Sequence, residues 1–169
     1  MILSPIRAKK VSLAGLLGAL ALILAFIEGS LPPMPLLPPG AKLGLSNIVT
    51  MYAASALGLP AALFVALIKG GFALFTRGYA AGMMSICGGV FSAALLALLF
   101  RKTRFSCIMI GILGAAAHNL GQLCVAWGLM GEAVLYYIPA LIFFGLISGV
   151  CTGLIYRGLY PKLNKVIVK

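Results

Sequence analysis

Six apolar stretches, at residues 11–27, 43–59, 60–75, 79–100, 108–130 and 133–156, take up most of a 169-residue chain. Each is close to the ~17–25 residues that a bilayer-spanning helix requires. The pattern therefore predicts an all-α integral membrane protein, a bundle of six transmembrane helices forming a single membrane domain over residues 1–169. With 63% hydrophobic and 9% charged residues and a mean hydropathy of +1.16, the chain lacks the polar surface that a soluble domain of this size presents. The first stretch follows basic residues, as a signal peptide would. It is nevertheless long, and it ends in Glu28-Gly29-Ser30 and a proline cluster with no small-x-small cleavage pattern, so it reads as an uncleaved span.

A formal charge of +11 would point to nucleic acid in a soluble protein, and the placement of the charges decides against that here. With the N-terminus in the cytoplasm, Arg7, Lys9, Lys10, Arg101, Lys102, Arg104, Arg157, Lys162, Lys165 and Lys169 all fall on the cytoplasmic side. That is ten of the thirteen basic residues, the bias that the positive-inside rule describes. A multi-pass protein of the bacterial cell membrane with both termini cytoplasmic follows, and nucleic acid is not expected as a partner. Both acids, Glu28 and Glu132, are placed at outer ends, Lys42 and Arg77 outside, and Lys69 within the third span.

Between the first two spans, residues 28–40 read "EGSLPPMPLLPPG". Five prolines forbid a regular helix and favour extended geometry, as a lid over the helix mouths or as a stiff linker. Spans two and three are joined only through Gly58-Leu59-Pro60, a tight cytoplasmic hairpin, and spans four and five through the basic "RKTRFS". Small residues recur at four-residue spacing in the first span, as in Ala14 with Gly18 and Ala21 with Ala25. Such stripes serve either internal packing or contact with another membrane protein. Cys87, Cys107, Cys124 and Cys151 show no C-x-x-C spacing and are read as packing residues.

Enzyme chemistry is opposed by what the chain omits. Its only two acids are glutamates in opposite loops, too few and too far apart for the paired carboxylates that hold magnesium on a diphosphate. There is no G-x-x-x-x-G-K-[ST] loop, and the lone His118 has no neighbouring acid or nucleophile. The reading is a non-enzyme with no catalytic residue, metal or cofactor.

What remains is a set of polar residues inside spans, where they are costly and tend to be functional. Lys69 stands about nine residues into span three and His118 about ten into span five, so at ~1.5 Å per residue both lie ~13–15 Å deep. "HNLGQ", residues 118–122, is expected to form one polar patch of His118, Asn119 and Gln122. Lys42 opens span two with Asn47 below it, at a helix start that already favours anions. With Arg77 nearby and no acid expected inside a span, the outer half has a cationic interior suited to an anionic ligand. Lys42 and Arg77 also have the plainer reading of headgroup anchors that bind lipid phosphates, and Tyr52, Tyr79, Tyr136 and Tyr137 that of interface aromatics or packing.

"PGAKLGLSNIV", "SICGGVFSAALLALL" and above all "GAAAHNLGQLCVA" resemble the Gx transporter family, often labelled heptaprenyl diphosphate synthase component I, over roughly residues 10–160. That family is similar in size and layout to the substrate-binding S components of energy-coupling factor transporters. The resemblance implies a subunit that captures a small molecule from outside and docks onto a transmembrane T subunit driven by two ATPases. It also implies that Ala21 and Ala25 form the docking contact on the first helix and that the 28–40 loop gates the pocket. Lys42, Asn47, Lys69, Arg77, His118, Asn119 and Gln122 are the expected pocket residues, for a small anion such as an isoprenoid or quinone precursor. The alternative is a non-catalytic accessory subunit of prenyl diphosphate or menaquinone synthesis, or of quinone-linked electron transfer. A proton-coupled carrier is disfavoured, since no carboxylate is expected within a span.

Overall fold

The computed structural model describes residues 5–30 and 44–167. Lys42 and most of the proline-rich segment lie outside the described residues. Helices α1 (Pro5–Ser30), α2 (Asn47–Ala56), α3 (Leu59–Arg77), α4 (Tyr79–Lys102), α5 (Cys107–Met130) and α6 (Ile138–Ile167) follow one another, with a tight 3-10 stretch, Gly131–Tyr137, between the last two. No strand occurs among the described residues. Helices satisfy their own backbone hydrogen bonds, which is what a chain in lipid must do.

The expectation of six separate spanning helices needs correction. Helical structure is continuous from Cys107 through the 3-10 stretch into α6, so the described residues form five uninterrupted helical runs. Four are long and apolar enough to cross a membrane: Arg7–Ser30, Leu59–Arg77, Tyr79–Lys102 and Cys107–Pro161. The last has 55 residues and folds back at the 3-10 stretch, so that α5 and α6 pack side by side. The exception is α2. Its ten residues reach only ~15 Å at ~1.5 Å per residue, half of a hydrocarbon core of about 30 Å.

This short helix occupies the centre and touches all five others. Val49, Met51, Tyr52, Ala53 and Ala54 are buried, as are the polar Asn47 and Thr50, as befits a helix enclosed on every side. Around it Leu17, Val65, Leu96, Ile110 and Tyr156 complete the main core. Tyr52 and Tyr156 stack near Tyr160 and Phe100, with ring centroids 5.2–6.5 Å apart, so Tyr52 packs inside while Tyr79 and Tyr136 are exposed. The turn from α2 to α3 depends on Gly58, whose φ of +85° lies in the region that glycine alone enters without strain. Pro60 then starts α3, its missing N–H being one that a helix start leaves unpaired anyway.

The small residues on α1 divide between the two readings, Gly15 and Ala19 being exposed. Ala21 and Ala25 are buried, at 0% and 6% exposure, and α1 packs against α3 and α2. The face that α1 turns outward carries Leu16, Leu20, Ile23, Phe26 and Ile27 instead. Ala21 and Ala25, expected to form the docking contact, thus face into the bundle. All four cysteines are free, and Cys124 and Cys151 face outward, contrary to a packing role.

α5 and α6 approach closely through glycines. A Cβ at Gly149 would lie 2.6 Å from the Ile112 Cα, a backbone atom that cannot swing away. Gly149→Val should therefore force the helices apart and destabilise the protein by about 1–3 kcal/mol, the usual cost of overpacking. Its thermal unfolding midpoint in detergent, compared with that of the wild type, checks this.

Candidate functional site

At the end of the bundle where α1 and α3 finish and α4 begins, charged and polar side chains converge on a small cavity. Glu28 comes from α1, Lys69 and Arg77 from α3, Ser85 from α4, and His118 and Gln122 from α5, while Gly44 and Ser46 contribute from the turn that leads into α2. The cavity measures about 20 Å³, room for a single water by the usual minimum of about 10–15 Å³. Glu28, Lys69, His118 and Gln122 are each 5% exposed or less.

Lys69 stands ten residues beyond Leu59, the first residue of α3, hence ~15 Å along it. An ammonium at that depth requires partners. One is Asn47, whose Oδ1 accepts from Lys69 Nζ at 2.8 Å. The second is electrostatic, since the Glu28 carboxylate acts on both Lys69 and Arg77, and Lys69 in turn acts on His118. Glu28 also accepts the backbone N–H of Gly44, which ties the end of α1 to the start of α2. Two cations and one carboxylate leave the cluster a formal charge of +1 with His118 neutral. Gly88 makes room for His118 on the facing helix, since a Cβ there would lie 2.7 Å from the His118 carbonyl oxygen and 2.8 Å from Nδ1.

Lys69, Arg77, His118 and Gln122 are thus brought around one cavity, with Asn47 bonded to Lys69 at its edge. Asn119 is not part of it. Its Nδ2 donates to the Leu141 carbonyl oxygen at 2.7 Å, and it borders an apolar cleft of about 360 Å³ between α5 and α6. The expected HNLGQ patch divides: Asn119 and His118 lie three and four residues from Gln122 but flank it on opposite sides, about 100° apart around the helix, and the cavity takes only the His118 side. His118 and Gln122 face the cavity while Asn119 ties α5 to α6. Lys42 lies outside the described residues.

Glu28 is the member of the cluster that reading the sequence missed. The expectation that it sits in an outer loop, leaving no acid to face the buried cations, is corrected: α1 continues to Ser30, and Glu28 is 5% exposed. Adjacency to the proline cluster made it look like loop. The overlooked signal is spacing, because Ala21, Ala25 and Glu28 recur at steps of four and three and so share the buried face of α1.

Removing Glu28 leaves two cations in a desolvated site without their counter-charge, whereas removing Lys69 leaves Glu28 facing Arg77 and Asn47 without its donor. Glu28→Gln should therefore destabilise the protein by about 3–5 kcal/mol, as leaving a buried charge uncompensated does, and Lys69→Gln should cost less. The double substitution should cost less than the sum of the two, because the groups are coupled. Unfolding midpoints of the four proteins in one detergent test the coupling, and strict additivity would disprove it.

No curated protein and no solved structure gives a significant match to this chain. The family model described as heptaprenyl diphosphate synthase component I matches residues 17–159, which take in every described member of the charged cluster. The chain therefore belongs to the heptaprenyl diphosphate synthase component I family.

Proposed function

We propose that this protein is the substrate-binding membrane subunit of an importer of the energy-coupling factor type, taking up a small anionic molecule. The observation that carries the reading is the charged cavity inside an apolar bundle. A membrane protein that needed only to pack would fill this space with apolar side chains, and ionisable groups within spans mark ligand or ion paths far more often than structure alone. With the N-terminus cytoplasmic, as the basic residues favour, the cavity opens toward the outside. Its formal charge of +1 favours a ligand with one anionic group, held by Lys69 and Arg77 and oriented by Gln122 and Asn47.

The ligand is a small molecule such as an isoprenoid or quinone precursor, and the energy comes from a T subunit with two ATPases. Since the described cavity holds no more than a water, binding widens it. Glu28, already hydrogen-bonded to Gly44, is the counter-charge that keeps the empty site from carrying two unopposed cations. The protein has no catalytic role in this reading, in keeping with a chain that has only two acidic residues.

A second reading rests on the description of the family: a non-catalytic membrane subunit that accompanies a prenyl diphosphate synthase. Native mass spectrometry of the protein gently extracted from its host membrane separates the two. Co-purification of a T subunit and ATPases with a retained small anion supports the importer, and co-purification of a soluble prenyl synthase without them overturns it. Lys69→Ala should abolish retention of the anion while the exposed Cys124→Ser leaves it intact. Retention by the Lys69 variant would remove Lys69 from the binding site.

A further inference from the structure

A second cavity lies at the opposite end of the bundle, where the α2–α3 hairpin meets the last turns of α4. It is a cleft of about 760 Å³, within the range of about 300–1,000 Å³ common for ligand pockets. One wall is formed by Gly58, Leu59 and Pro60, the other by Ala94, Ala97 and Leu98. Leu59 and Leu98 are 41% and 48% exposed, so the walls are apolar surface left uncovered by the protein itself. Arg101 and Lys102, both exposed, complete the lining, and no acidic residue contributes to it.

This division of chemistry restricts the occupant. A small soluble anion would meet the two cations and leave the leucine and alanine walls wet. A neutral lipid would cover the walls and leave the cations without a counter-charge. An amphiphile with a hydrocarbon chain and one phosphate satisfies both parts at once. It is also abundant where this cleft sits, since the neighbouring Arg101, Lys102 and Arg104 mark a membrane–water interface.

We infer that the cleft is a site for one anionic phospholipid of the adjoining leaflet, its phosphate held by Arg101 and Lys102 and a chain laid along Ala94, Leu98 and Leu59. This assignment is independent of the charged cavity at the other end and stands or falls separately from the importer reading. The same leaflet would supply the lipid whether or not any substrate is carried.

The test uses the full-length protein, delipidated in detergent and titrated with equal amounts of phosphatidylglycerol and phosphatidylcholine, with bound lipid counted by native mass spectrometry. The wild type should retain one phosphatidylglycerol in preference to phosphatidylcholine. R101Q/K102Q should lower that preference about tenfold or more, from the lost attraction of two basic side chains to an anionic headgroup. R7Q/K10Q, which removes the same charge at exposed positions of α1 outside the cleft, should keep it. Ala94→Phe leaves every charge in place and fills the exposed wall, and it should also lose the lipid. Retention by either R101Q/K102Q or the Ala94 variant overturns the site, as does equal loss in R7Q/K10Q, which would mean general attraction to a basic surface. Displacement of the lipid by millimolar inorganic phosphate would reassign the cleft to the free anion.

Discussion

An ammonium buried halfway across an apolar bundle is the constraint around which the rest of this structure is arranged. Lys69 cannot reach a headgroup from its place on α3, so its partners must come to it. Asn47 does so because α2 is short: starting from the Gly58 turn and running back ten residues, α2 ends at the depth of Lys69 and presents its first residue there. Glu28 arrives from α1, and through it the backbone N–H of Gly44 is satisfied as the chain enters α2. Irregular backbone at membrane depth is tolerable only when buried in protein or lining a cavity, and this turn meets both conditions.

The two ends of the bundle solve different problems with the same few charges. One end encloses them, couples cations to a carboxylate and leaves a cavity almost too small for water. The other spreads them over an interface where the helices part and apolar walls remain exposed. Membership of the heptaprenyl diphosphate synthase component I family fits a membrane protein of this size, and the geometry adds what a family description lacks, namely which side chains share a space.

Composition and apolar run lengths made the membrane class and the helical architecture legible, because lipid permits so few alternatives. Lys69, Arg77, His118 and Gln122 were legible for the same reason: a polar side chain in an apolar run needs company, and equal depth indicated which groups could meet. Three features escaped. Run length could not distinguish a spanning helix from the ten-residue α2, since the residues flanking it, 43–46 and 57–59, are as apolar as the helix itself. Asn119 was misassigned because its three-residue spacing from Gln122 was taken to put it on the face of His118 as well, whereas one residue along a helix turns the side chain by about 100°. Glu28 was hidden by the prolines after it.

The brevity of α2 has a consequence for how the protein reaches its membrane. A helix of ten residues is too short to be held across a bilayer alone, and its buried Asn47 and Thr50 would make an unaccompanied entry costly. It is one arm of a hairpin whose other arm, α3, is long enough to span. The Gly58 turn that sets their packing therefore also ties the short arm to one long enough to span, and Lys69 and Asn47, one on each arm, hydrogen-bond across the hairpin.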